Sequence, residues 1–145
     1  MKKYIPLILT TLVLFLFSCN ASRPTLKKVK VQSLPIYATS FVAIDEKGIK
    51  EKHLFEVTIK TDSILAQIQN RLDSLKPLDN QSRSVDIRMR WRLKFSNYSC
   101  KTFYIMRGGV IKIDDRFYED DYQLLKLFAL LVPEEIRMSY MPHDF

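Results

Sequence analysis

Four cations recur at every second position between Ile87 and Phe95 (IRMRWRLKF): Arg88, Arg90, Arg92 and Lys94 interleave with Ile87, Met89, Trp91, Leu93 and Phe95. In an extended chain neighbouring side chains point to opposite faces, so this spacing lines the four up on one face about 7 Å apart. They repel one another there unless something anionic lies across them. The chemistry on offer is charge recognition: a docking face for an acidic protein, an anionic glycan or lipid phosphates. Trp91 falls on the apolar side and is expected in the core rather than as a stacking platform. The competing reading makes the same four residues the wet face of a strand. Their stems would then cover apolar neighbours, and cross-strand carboxylates such as Glu56 or Asp114 would offset the charge.

Residues suited to covalent or metal chemistry are sparse. His53 lies beside a turn and His143 near the end of the chain, and neither stands at a metal-ligand spacing from Cys or carboxylates. Cys100 would need one of these two histidines beside it to act as a nucleophile, and a small strand residue at the edge of the Ser96–Ser99 turn is the simpler reading. The acidic group Asp114, Asp115, Glu119, Asp120 and Asp121 spans a hairpin and a helix start, where carboxylates suit turns and the helix dipole. With three glycines in the chain, two of them adjacent at Gly108-Gly109, there is no phosphate cradle. The expectation is therefore no cofactor, no metal and no catalysis.

The elements that must position the cationic row are read from periodicity. Residues 36–44 and 53–60 are predicted as strands, the second alternating Phe55, Val57 and Ile59 against Glu56, Thr58 and Lys60. Asp45-Glu46-Lys47-Gly48 between them reads as a turn, giving a hairpin. Thr61, Asp62 and Ser63 offer cap oxygens to a helix running to Lys76, with Ile64, Leu65, Ile68, Leu72 and Leu75 on one face and Pro77 ending it. After a polar loop come strand 87–95, strand 101–107, the Gly-Gly turn, strand 110–114 and a short turn into Phe117-Tyr118. A last helix is capped by Asp120, with Gln123 as its capping-box partner, and stopped by Pro133. From Leu124 to Val132 this helix is apolar except at Lys126, so burial against the sheet and the C-terminal tail is expected. Strands joined by turns and helices gathered on one side predict an α+β fold: an antiparallel meander with two helices on one face, a two-layer sandwich.

The start of the chain follows a different logic. Lys2 and Lys3 precede an apolar run from Ile5 to Phe17, followed by Ser18 and Cys19. That run is shorter than the roughly 18 apolar residues a membrane span requires, and it has the layout of a secretory signal. Leu16-Phe17-Ser18-Cys19 resembles the lipobox of bacterial lipoproteins, and the leader as a whole looks like those of Bacteroidota. The resemblance implies cleavage before Cys19, acylation of its thiol, and a membrane held by lipid chains, since two or three chains anchor where one does not. No Asp or Glu occurs between Cys19 and Asp45. With no acidic export tag after the Cys, an outer-membrane anchor facing the periplasm is expected.

The organisation predicted is a signal peptide over 1–18, a lipid anchor and basic tether over 19–35, and one domain over 36–145. Removing Lys2 and Lys3 with the leader leaves 21 cations against 16 acids, a mature formal charge of +5. Once Cys19 is acylated, Cys100 has no disulfide partner in the chain, so the fold must rest on packing. The tether, with Arg23, Lys27, Lys28 and Lys30 and no acid, reaches on the order of 33 Å from Cys19 to Val29 when extended. Nucleic acid is not an expected partner in the envelope despite the basic balance. The function expected is that of a small lipid-anchored envelope protein acting by binding, as an inhibitor, an immunity factor or an accessory subunit. A small hydrolase or transferase, or a purely structural tethered domain, stands behind that reading.

Overall fold

The computed structural model describes residues 23–35, 42–79 and 85–133. The leader, Cys19, most of the predicted strand 36–44, the middle of the polar loop and the C-terminal tail with His143 lie outside the described residues. Among the described residues, six strands form one antiparallel open sheet: β1 (Leu26–Ser33), β2 (Phe55–Ile59), β3 (Ile87–Phe95), β4 (Cys100–Met106), β5 (Ile111–Ile113) and β6 (Arg116–Tyr118), in the order β2-β1-β3-β4-β5-β6. Three helices accompany it: α1 (Glu46–Lys52), α2 (Asp62–Asp73) and α3 (Tyr122–Ala129). The fold is α+β, as expected, with two departures from the expected plan.

The larger departure is β1. Residues 26–33, read from sequence as tether, form an interior strand between β2 and β3, so the folded unit begins before residue 36. Val29, Val31 and Ser33 pair with Ile59, Val57 and Phe55 on one side, and with Leu93, Trp91 and Met89 on the other. Val29 and Val31 are fully buried. The register shifts between Leu26 and Lys28, so Lys27 is an extra residue that lets Leu26 and Val29 both face the core. Only β3 to β6 form a meander. The connection from β2 to β3 passes over β1 through α2.

The second departure is α1. Asp45 to Gly48 is a helix start and not a hairpin turn: the Asp45 carboxylate accepts from the Gly48 amide at 2.6 Å. Val42 to Asp45 is not a strand, although Ile44 exchanges bonds with the start of β3, its amide donating to Asp86 Oδ1 and its carbonyl accepting from Ile87. The β2–β1 pairing therefore replaces the predicted hairpin.

The main core lies on one face of the sheet, where α2 and α3 pack as expected. Leu65 and Ile68 of α2 and Leu124, Leu125 and Phe128 of α3 meet Val29, Val31, Met89, Trp91, Phe103 and Ile105. Trp91 is fully buried, stacked on Phe103 at 5.1 Å between ring centres and tilted against Phe128 at 6.2 Å. Helix α3 is capped by Asp121, one residue later than expected, its carboxylate accepting from the amides of Gln123 and Leu124. Its apolar run is largely buried, with Leu130 exposed. Helix α2 stops at Asp73, before the expected Lys76, because the chain turns into an extended segment that bonds β6: Leu78 donates to Phe117 and Glu119 to Lys76. Gly108 and Gly109, at φ 84° and 91°, make the β4–β5 turn, a conformation that favours glycine.

Candidate functional site: a divided cationic sheet face

On the opposite face of the sheet, α1 covers one half, and among the described residues no element covers the other, the bare half. Ile49 anchors the helix, fully buried in a small apolar cluster with Ile87, Tyr104, Leu34 and Ile44. Glu46 in its first turn accepts from the Tyr104 hydroxyl at 2.9 Å and from Lys112 Nζ at 3.0 Å. The Lys112 ammonium holds the Glu46 carboxyl below its ordinary value, against the opposing effect of partial burial. Burial, with the Glu46 carboxylate second, pushes the Tyr104 phenol up.

This division splits the row that the sequence placed on one wet face. Arg88 is only 2% exposed and makes a 2.6 Å ion pair with Asp86, so it leaves the expected docking surface. The cause is the irregular register between Ile87 and Met89, together with the chain from Ile44 that runs beside it. Arg90 is half-buried. Its Nη1 donates to Gln32 Oε1 at 2.9 Å, while its buried Nε meets no hydrogen-bond partner among the described residues. Arg92 and Lys94 are exposed, as the alternation predicts.

Register then adds cations the sequence reading had assigned to the tether. Lys30 stands opposite Arg92, and Lys28 opposite Lys94. Like charges directly opposed across a strand pair are destabilising, and here two such pairs are adjacent. Lys30 is neutralised by Glu56, Nζ to Oε1 at 2.8 Å, and this ion pair holds the Glu56 carboxyl below its ordinary value. Among the described residues, no carboxylate lies within ion-pair distance of Lys28, Arg92 or Lys94. Thr58 and Thr102 flank the Lys30–Arg92 row, and Lys94 Nζ sits 5.9 Å from the ring centre of Tyr98 in the β3–β4 turn. The bare half is thus a polar, cationic surface at the end of the sheet where the described chain begins.

No known family, curated protein or solved structure matches this chain.

The residues considered for catalysis are scattered. His53 Nε2 lies 3.4 Å from Glu56 Oε2, but that carboxylate already binds Lys30 and accepts from Gln32 Nε2 at 3.0 Å. Cys100 is an exposed thiol at the start of β4. A cleft of about 830 Å³ opens on the core side beyond α2, floored by Leu72, Leu93, Phe103 and Ile113. A smaller one of about 340 Å³ lies between α2 and α3. Neither His53 nor Cys100 lines either cleft. Among the described residues, no three His, Cys, Asp or Glu side chains converge as a metal site, and no helix is long and apolar enough to cross a membrane. The signal that could have located the cationic half earlier was the Lys28, Lys30, Gln32 alternation against Val29 and Val31, a strand pattern hidden by its charge density.

Proposed function

We propose that this chain is a small lipid-anchored protein of the bacterial envelope that works by binding, through the bare half of its second sheet face. The observation that carries the reading is the two pairs of opposed like charges, Lys28 against Lys94 and Lys30 against Arg92, of which Lys30 alone is paired with a carboxylate, Glu56, among the described residues. A fold that places unbalanced cations at adjacent register positions gives up some stability, which an anionic partner restores on binding. The roles that fit are those of an inhibitory or immunity factor, or of an accessory subunit in an envelope assembly. The lipobox-like Leu16-Phe17-Ser18-Cys19 supplies the anchor in this reading.

Two experiments test it. In the native host, Cys19→Ala removes lipid labelling and moves the mature protein out of the membrane fraction; unchanged labelling overturns the anchor. Used as bait in envelope extracts, the mature chain retains an anionic component that elutes with salt, and Lys28→Gln/Arg92→Gln/Lys94→Gln loses it while melting no lower than the parent, since the repulsion is relieved. Equal recovery by both baits at low salt overturns the binding face.

A further inference from the structure

We infer that the anionic partner of this face is the lipid headgroup layer of the bilayer in which Cys19 is held, so that the domain rests on its membrane with the bare half of the sheet downward. The inference rests on the proposed anchor and names the partner of the same face. Three observations carry it.

The first is where the chain enters. Arg23, the first described residue, is four positions from Cys19, on the order of 13 Å of extended chain. Thr25 is fastened to the β3–β4 turn: its carbonyl accepts from the Ser96 amide at 2.8 Å and its amide donates to Ser96 Oγ at 3.1 Å. The described chain therefore begins next to the β3–β4 turn, at the end of the sheet that α1 does not cover, with Arg23 and Pro24 held against Asp73 and Gln69 of α2. Extended chain from Cys19 to Lys28 spans at most roughly 30 Å, so the domain stays within a short distance of the surface.

The second is charge. Lys28, Arg92 and Lys94 are exposed and Lys30 is half-exposed, all on one side of the sheet. An exposed cluster of cations on a sheet is attracted to a layer of anionic phosphates, and that attraction acts over a Debye length of about 8 to 10 Å. The third is Tyr98. It is 84% exposed, at the tip of the turn next to the chain entry, with Lys94 beside its ring. An amphipathic aromatic among cations at that place suits the interface between headgroups and acyl chains, where Tyr and Trp are enriched.

The test uses the mature chain from residue 20, unlipidated and carrying every described element, with vesicles of phosphatidylcholine alone or mixed with phosphatidylglycerol. The parent co-sediments with the phosphatidylglycerol vesicles, loses them as salt rises, and ignores phosphatidylcholine. Lys28→Gln/Arg92→Gln/Lys94→Gln lowers the affinity about 100-fold, about fivefold per cation. Lys76→Gln/Arg116→Gln/Lys126→Gln removes the same charge from exposed positions on the side of the sheet that carries α2 and α3 and keeps the parent affinity. Equal losses from the two triple variants overturn the orientation, because net charge alone would then explain the binding. Absence of vesicle binding, with salt-sensitive retention of an acidic protein by the same face in extracts, overturns the lipid partner and leaves the binding reading standing. Absence of both removes both.

Discussion

The Arg90 guanidinium donates to Gln32 Oε1 at 2.9 Å, and the same amide donates through Nε2 to Glu56 Oε2 at 3.0 Å. Across three strands, β3 to β1 to β2, a cation is thus joined to a carboxylate through a neutral side chain that accepts from one and donates to the other. A glutamate at position 32 could not donate, and a lysine could not accept. This relay ties Arg90 into the sheet and separates it from the exposed pair Arg92 and Lys94.

Replacing Gln32 by Leu tests the relay. The side chain is nearly buried, so the half-buried Arg90 loses a bond where water replaces it poorly, while the exposed Glu56 keeps access to water. The expected cost is about 1 to 3 kcal/mol, read from chemical denaturation. A cost near zero would mean that Arg90 and Glu56 find water equally well.

The tight packing of Trp91 on Phe103 and Phe128 sets a larger number. Trp91→Ala is expected to destabilise by about 3 to 5 kcal/mol, since the cavity lies at the centre of the core. The indole Nε1 has no hydrogen-bond partner among the described residues, so Trp91→Phe, which removes that buried polar atom along with some volume, is expected to cost less than the alanine. A melting curve for the alanine variant that overlays the parent would place the two faces of β3 the wrong way round.

The phase of β3 from Met89 onward, the α2 face and the Gly108-Gly109 turn were legible in the sequence because each rests on a local rule, period two, period 3.6 and positive φ, whereas the register shift after Ile87 puts that residue on the α1 side. What was not legible depends on partners distant in the chain. In β1 the run Leu26-Lys27-Lys28-Val29-Lys30 breaks its alternation at the extra residue Lys27, and four cations near an anchor read more simply as tether. Helix α1 has seven residues, a glycine within them and a single buried side chain, Ile49, so periodicity had nothing to register. Its effect on the site followed directly. Alternation alone groups Arg88 and Arg90 with Arg92 and Lys94, whereas α1 and Asp86 remove the first two and the β1 register supplies Lys28 and Lys30 as the true neighbours.

Val31 separates the tether reading from the strand. It is fully buried between Val57 and Trp91 in register. Val31→Asp places an unpaired charge in that position, and a loss of more than about 4 kcal/mol is expected, enough to abolish a cooperative transition in a marginally stable domain. A tether residue would change stability within about 0.5 kcal/mol. Unchanged melting would return β1 to the linker.

Helix α1 is held to the sheet partly by charge, which makes its attachment sensitive to acid. The carboxyl of Glu46 lies below its ordinary value of 4.5, first through its hydrogen bond with Lys112 and also through Tyr104, so the folded state binds its proton less readily than the unfolded chain does. Folding therefore gains from Glu46 at pH above that ordinary value, and the gain is lost as pH falls through the lower, folded one. Glu46→Gln keeps an oxygen for Lys112 and an amide for the Tyr104 oxygen but carries no charge. The variant should be less stable than the parent at neutral pH, and the gap should close as the pH is lowered from about 5 towards 3. Glu56, lowered chiefly by Lys30, titrates in the same direction, so the comparison is made at each pH between chains that differ only at position 46. A gap that stays constant across the acid range would mean that the Glu46 carboxylate is held by hydrogen bonding without net help from its charge.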